Sequence, residues 1–266
     1  MTLLEGRRAL IVGIANDRSY AWHIAKALAE HGCKLAFTHL PGEKNERRTR
    51  KAAEKLPGGD GELWLHPLDA GSDDDIDAAL EAYGKSIDRL DVLVHSIAFA
   101  EREWLAPGKF IETPRQAYTQ AVDISAYTLL GLARAAVPIM ERTSPDAGGS
   151  IMAMSYYGAE KVVPGYNVMG VAKASLEATA RYLAGELGEK NIRVNTISGG
   201  YLRTLASSAV GGIDTMEAHN LQRSPLRRNV EGEDVGRTAV YLASELGSGV
   251  TGENIYVDCG VNTIGL

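Results

Sequence analysis

The chain has 266 residues, 45% of them hydrophobic and 23% charged, which excludes a disordered protein and fits one large domain over residues 1–266. Lys and Arg number 28 against 34 Asp and Glu, a net charge of −6, and this argues against a dedicated nucleic-acid binder. Two cysteines, Cys33 and Cys259, are too few for a disulfide framework or a zinc site, and the N-terminal run MTLLEGRRALIVG is too short to span a membrane and has no signal-cleavage pattern.

In chain order, Arg8–Gly13 (RALIVG) is a strand-length apolar run, and Ala21–His31 follows with helical periodicity. Lys34–Thr38 (KLAFT) is the second run. The segment after it carries Lys44, Arg47, Arg48, Arg50 and Lys51, which read as a solvated helical face. Pro57–Gly61 is a surface turn before the third run, Glu62–His66 (ELWLH). Ser72 is a good N-cap for a helix over Asp73–Lys85, with Asp75 in the capping-box position. Asp91–Ser96 (DVLVHS) is the fourth run. Thr113 as cap and Pro114 in the first turn open a helical stretch reaching about Met140. After a turn at Thr143–Gly149 come Ser150–Ser155 (SIMAMS), the long helix Tyr166–Leu187, Ile192–Ile197 (IRVNTI), a helix over Glu233–Leu246, and Asn254–Asp258 (NIYVD). Most of these runs are too apolar for a sheet with one wet face. They predict an α/β fold: a Rossmann-type doubly wound sheet of about seven parallel strands with helices on both faces. A soluble cytoplasmic protein with no metal, membrane or nucleic-acid partner is expected.

The first strand-to-helix turn, Gly13 to Ala21, is a candidate pyrophosphate site, because a helix N-terminus there presents free backbone N–H groups. Gly13 permits a tight exit, Ser19 and Ala21 are small, and the Ser19 hydroxyl can donate to phosphate. Of the usual glycine fingerprint only Gly13 remains, so a plain structural turn is the alternative. The second strand ends His39-Leu40, where a dinucleotide's adenosine ribose would lie. Neither an acidic residue nor an arginine stands at 39 or 40, and NADH is expected ahead of NADPH. Asp69 can accept from an adenine amino group or can cap the approach to the next helix.

Tyr166 and Lys173 are seven residues apart. On a helix this puts both side chains on one face, roughly 10 Å apart along the axis. Lys173 sits in a small, apolar run, so its ammonium needs a partner, and a cofactor ribose diol is suitable. A lysine beside a phenol also favours the phenolate. The alternative is an amphipathic interface helix with a stray lysine. Gly170, Ala172, Ala174, Ser175, Ala178 and Ala180 suit close helix packing, including packing between subunits.

These residues, together with DVLVHSIAFA at Asp91–Ala100, Arg203-Thr204-Leu205-Ala206 and Thr251-Gly252-Glu253, resemble the NADH-dependent enoyl-acyl-carrier-protein reductases of bacteria and plastids. That family is a divergent branch of the short-chain dehydrogenase/reductases, and the resemblance covers essentially the whole chain. Ordinary short-chain dehydrogenases place the catalytic tyrosine four residues before the lysine and a serine about thirteen before that tyrosine; here those positions hold Met169 and Tyr156. The resemblance implies reduction of a trans-2-enoyl thioester by NADH in fatty acid biosynthesis, in a homotetramer. It implies Tyr156, Tyr166 and Lys173 as catalytic residues, with Tyr166 holding the enolate oxygen and Lys173 the nicotinamide ribose. It places Gly13, Ser19, Tyr20, Leu40, Asp69, Ala70, Ser96, Ile97, Ala98, Lys173, Leu202, Arg203, Thr204, Leu205 and Ala206 along the cofactor. Ala100, Tyr156, Tyr166 and Met169 would face the substrate, and 206–219 would form a lid with Gly211-Gly212 as hinge.

The sequence departs from the family pattern at Gly199-Gly200-Tyr201-Leu202, where Ala-Gly-Pro-Ile is usual, and at Leu40, where a polar residue is common. Basic lid residues of some relatives are missing, which leaves Arg223, Arg227 and Arg228 as cations for an acidic carrier protein. A short-chain dehydrogenase acting on a carbonyl and a non-catalytic dinucleotide sensor are the competing functions.

Overall fold

The computed structural model describes residues 2–59, 61–143, 148–202 and 221–265. Seven strands form one parallel sheet in the order β3-β2-β1-β4-β5-β6-β7. They are β1 (Arg8–Val12), β2 (Lys34–His39), β3 (Trp64–Pro67), β4 (Val92–His95), β5 (Gly149–Ser155), β6 (Ile192–Gly199) and β7 (Asn254–Val257). All seven expected strands are present, each end within two residues of its expected position. The order reverses between β1 and β4, which opens a crevice at the carboxyl ends of those strands.

Alternating side chains explain why the runs are apolar throughout. Leu10, Val12, Leu93, Ile151 and Val194 face α3 (Asp73–Ser86), α5 (Thr128–Thr143) and α6 (Asn167–Leu187) in one core layer. Ala9, Ile11, Val92, Val94, Met152 and Ile197 face α1 (Tyr20–Glu30), α2 (Glu43–Ala53) and α7 (Gly232–Ala243) in the other. Both faces are therefore dry, and a polar residue at either parity would be buried.

The helical stretch expected from Pro114 to Met140 is not one regular helix. α4 (Arg115–Val122) and α5 are joined by a wide π-helical turn, Asp123–Tyr127. Pro114 is the residue before α4 rather than part of its first turn, and the Thr113 hydroxyl donates back to Lys109 O at 3.5 Å instead of capping the helix. The π turn buries Ser125 completely. Its hydroxyl accepts from Phe99 N–H (3.0 Å) and donates to Phe99 O (3.2 Å), which ties down the segment after β4. The run Arg115–Arg142 is long and apolar enough to cross a membrane, and 56% of its most apolar window is buried within the fold. The last helix ends at Ala243, three residues short of the expected Leu246. It starts in a capping box in which Glu231 and Asp234 reciprocate.

Gly13 shows how strictly the first turn is set. Its φ is +102°, and a Cβ there would lie far inside van der Waals contact with Ser96 O. Only glycine lets the ends of β1 and β4 approach so closely. Gly13→Ala is therefore expected to cost about 2–4 kcal/mol, a fall of roughly 5–10 °C in Tm. Thermal unfolding of the unliganded protein checks this.

Candidate active site

β5 and β6 run in register with Ser155 beside Ser198. Tyr156 leaves β5 in extended conformation (φ −154°, ψ 148°). Tyr166 is the residue that precedes α6, at φ −103°, ψ −29°, and Asn167 after it has φ +37°. Tyr166 thus stands at the mouth of the helix rather than inside it, unlike the two-turn helical arrangement expected from the spacing. The two rings meet edge to face, with centroids 4.8 Å apart and planes at 66°. The ring of Tyr166 lies directly against Gly158, so close that a Cβ at 158 would overlap its Cδ1.

Lys173 is 5% exposed, and its ammonium donates to Met154 O at 2.6 Å. Burial lowers its pKa to about 8, against the pull of Glu177 one turn further along α6. Glu177 accepts from the Ser155 hydroxyl, and its own pKa is raised by burial. Lysine, carboxylate and hydroxyl thus gather under the last residues of β5.

The expectation that Lys173 favours a Tyr166 phenolate is overturned. Burial first, then Tyr156 and Glu177, push the Tyr166 phenol well above its usual range. Burial, then Tyr201 and Asp258, push Tyr156 up to about 12. Both groups are neutral O–H donors across the working pH range. Behind them His95 is buried and neutral, its pKa lowered to about 3 by burial and by Lys173. Thr128 Oγ1 donates to Ile124 O and so must accept from His95 Nε2 at 2.8 Å, which fixes the proton on Nε2.

A third apolar cluster, separate from the two core layers, joins Leu105, Ala121, Val168, Met169 and Ala172 with the partly buried Ala100, Trp104 and Tyr166. Three of the four expected substrate-facing residues (Ala100, Tyr166 and Met169) therefore share one wall, with Tyr156 against Tyr166. Asn167 Nδ2 donates to Trp104 O (2.9 Å) and Ala106 O (2.8 Å), which closes the wall at the start of α6. Ser125 Oγ lies 3.8 Å from Met169 Sδ.

At the nucleotide end, Ser96 N–H donates to Val12 O (2.9 Å), and Ile97 and Ala98 continue from it past Gly13. The Ser19 hydroxyl caps α1, accepting from Trp22 N–H and donating to Asn16 O at 2.8 Å. The Tyr20 hydroxyl donates to Gly200 O at 2.6 Å, so the first residue of α1 braces the end of β6. Leu40 is 59% exposed at the end of β2. Asp69 accepts from Gly71 N–H (3.0 Å) in the turn that approaches α3, and Ala70 is buried beside it. Leu202 is half-buried beyond β6. Arg203, Thr204, Leu205, Ala206 and the expected lid at 206–219 lie outside the described residues. Of the three arginines suggested for an acidic carrier, Arg228 is paired with Asp234 at 2.6 Å, and Arg227 donates to Gln222 O.

Sequence reasoning missed Gly158, Ser125, His95 and Glu177. The last had a signal: it is an acidic residue four positions after Lys173, on the same helical face.

The chain was compared with known proteins. A family model described as enoyl-(acyl carrier protein) reductase matches residues 13–262. The NADH-dependent enoyl-acyl-carrier-protein reductase FabI of Nostoc sp. is 47% identical over 266 residues, 100% of each chain. The NADPH-dependent FabI of Staphylococcus aureus is 47% identical over 264 residues, 99% of this chain and 100% of that one. The crystal structure of the Bacillus cereus reductase with NADP+ and an indole naphthyridinone superposes with a TM-score of 0.94 at 44% identity, covering 100% of both chains. With matches of this kind over the whole chain, the chain belongs to the enoyl-(acyl carrier protein) reductase family.

Proposed function

We propose that this protein reduces the trans-2 double bond of enoyl-acyl-carrier-protein thioesters with NADH, in fatty acid biosynthesis. The observation that carries this is the Tyr156–Tyr166 pair, seated over Gly158 at the end of β5 with the Lys173 ammonium buried beneath. The residues fit a dinucleotide: α1 opens just past β1, where the strand order reverses, and it has no acidic residue in its first turn to repel a pyrophosphate. Most of the relatives found are named for NADH, which supports that coenzyme over NADPH.

Gly13, Ser19, Tyr20, Leu40, Asp69, Ala70, Ser96, Ile97, Ala98 and Leu202 would line the nucleotide, and Lys173 would hold its ribose. When bound, the reduced nicotinamide supplies a hydride to the β-carbon of the substrate. The wall of Ala100, Met169 and Ala172 receives the acyl chain and keeps water away. Tyr166, held protonated by burial, donates its O–H to the thioester oxygen as negative charge develops there. A preorganised donor of this kind is worth about 3–4 kcal/mol. Tyr156 packs edge-on against Tyr166 and limits where the substrate can lie. The fuller proposal is a cytoplasmic homotetramer with 206–219 as its lid. Tyr182, 79% exposed on α6, supports contact between copies along that helix, and sedimentation velocity tests the assembly.

Loss of NADH absorbance with crotonyl-CoA, but not with acetoacetyl-CoA, is the expected result. Turnover of acetoacetyl-CoA alone would make the protein a carbonyl reductase, and turnover of neither would make it a sensor. Within the site, Gly158→Ala displaces the Tyr166 ring and is expected to lower kcat roughly 10- to 100-fold while NADH affinity stays nearly constant. Steady-state kinetics with NADH titration checks this.

A further inference from the structure

The carboxyl edge of the sheet holds a third phenol to which no role has been given. Tyr201 follows β6 two residues past its end, next to the strand that delivers Tyr156. Its position is held from both sides: Gly200 N–H donates to Val257 O at 2.8 Å, and Gly200 O accepts from the Tyr20 hydroxyl at 2.6 Å. Tyr201 is 7% exposed, and among the described residues its hydroxyl has no hydrogen-bond partner. Tyr156 feels it directly, since Tyr201 comes next after burial among the causes that raise the Tyr156 phenol.

A buried hydroxyl left unpaired is costly, and such groups are rare in folded proteins. Phenylalanine would fill the same space at no such cost. Tyr201 stands where the family pattern usually has proline, which offers no side-chain donor.

We propose that Tyr201 is a substrate-positioning residue whose hydroxyl donates to an amide carbonyl oxygen on the thiol arm of the acyl thioester, on the side of the site where Tyr156 stands. The proposal rests on the enoyl reductase reading above and adds a polar anchor that the tyrosine pair and the lysine do not supply.

The test is Tyr201→Phe, which removes one oxygen. KM for crotonyl-CoA is expected to rise about 5- to 20-fold, the loss of one hydrogen bond to a carbonyl. KM for NADH should be unchanged, kcat should change far less than KM, and the unliganded Tm should hold or rise because the unpaired group is gone. A merely structural hydroxyl would lower Tm on removal and leave both KM values unchanged. An unchanged KM for crotonyl-CoA overturns the proposal, and so does a rise confined to NADH. If the Phe variant does not fold by circular dichroism, Tyr201→Met removes the same donor and carries the same readout. A wild-type protein that leaves crotonyl-CoA unreduced overturns the enoyl reductase reading and this proposal together. A wild type that reduces it while the variant matches its KM overturns only the role of Tyr201.

Discussion

Tyr166→Phe is expected to lower kcat with crotonyl-CoA by about 10²–10³-fold and to leave NADH affinity intact. The ring would stay where it is, against Gly158 and edge-on to Tyr156. Only the donor is lost, so the loss appears in the chemical step. Because burial holds this phenol well above its usual range, the wild-type rate should show no ionisation of Tyr166 below pH 10. A phenolate at that position would repel the negative charge it is meant to stabilise. Stopped-flow traces at saturating NADH, taken from pH 6 to 10, check both points. A variant with more than a third of the parental kcat would remove Tyr166 from the reaction.

Lys173→Met is expected to do two opposite things. NADH binding should weaken about 10- to 100-fold, the worth of a charge-assisted hydrogen bond to a sugar hydroxyl. The unliganded protein should become more stable. Burial lowers the lysine to about 8 in the folded state, from its ordinary value of 10.5. The folded state therefore binds this proton more weakly than the unfolded chain. The resulting cost is fully present below pH 8 and is relieved as pH rises from 8 to 10.5. At pH 7 it amounts to about 3 kcal/mol at most, offset in part by the Nζ–Met154 O hydrogen bond. A Tm higher by a few degrees at pH 7, with the gap closing toward pH 10, is the expected pattern. NADH affinity of the wild type should fall above pH 8, and that of the variant should stay flat. If Lys173→Met bound NADH as tightly as the parent, the ribose contact would be wrong.

The sheet was legible because each strand is buried on both faces, and a run such as RALIVG or DVLVHS has no other comfortable home. Lys173 was legible for the converse reason, a cation among small apolar residues. The break in the fourth helical stretch was not. Apolar spacing continues across Asp123–Tyr127, and the extra residue of a wide turn leaves no compositional trace. His95 was invisible as a buried neutral imidazole, since DVLVHS does not say which way its fifth residue points. The ionisation of Tyr166 was misjudged because the sequence shows a lysine seven residues away but not how dry the phenol is. Gly158 carries no signal in the sequence, because the ring that lies on it comes from Tyr166, eight residues further on. The similarity of the chain to its family names the candidate catalytic residues, and Tyr201 is buried where this sequence departs from the family pattern.

The wide turn around Ser125 also works as a phase adjuster. One residue of helix is a rotation of roughly 100°. Taking a residue out of 123–127 would swing Leu129, Leu132 and Ala136 away from the sheet while leaving Ala117 and Ala121 in place. The half of the rod that lines the acyl wall and the half that seals the core are thus set at different angles by a single surplus peptide unit. Each half can be repacked without reorienting the other, provided the length of the splice between them is kept.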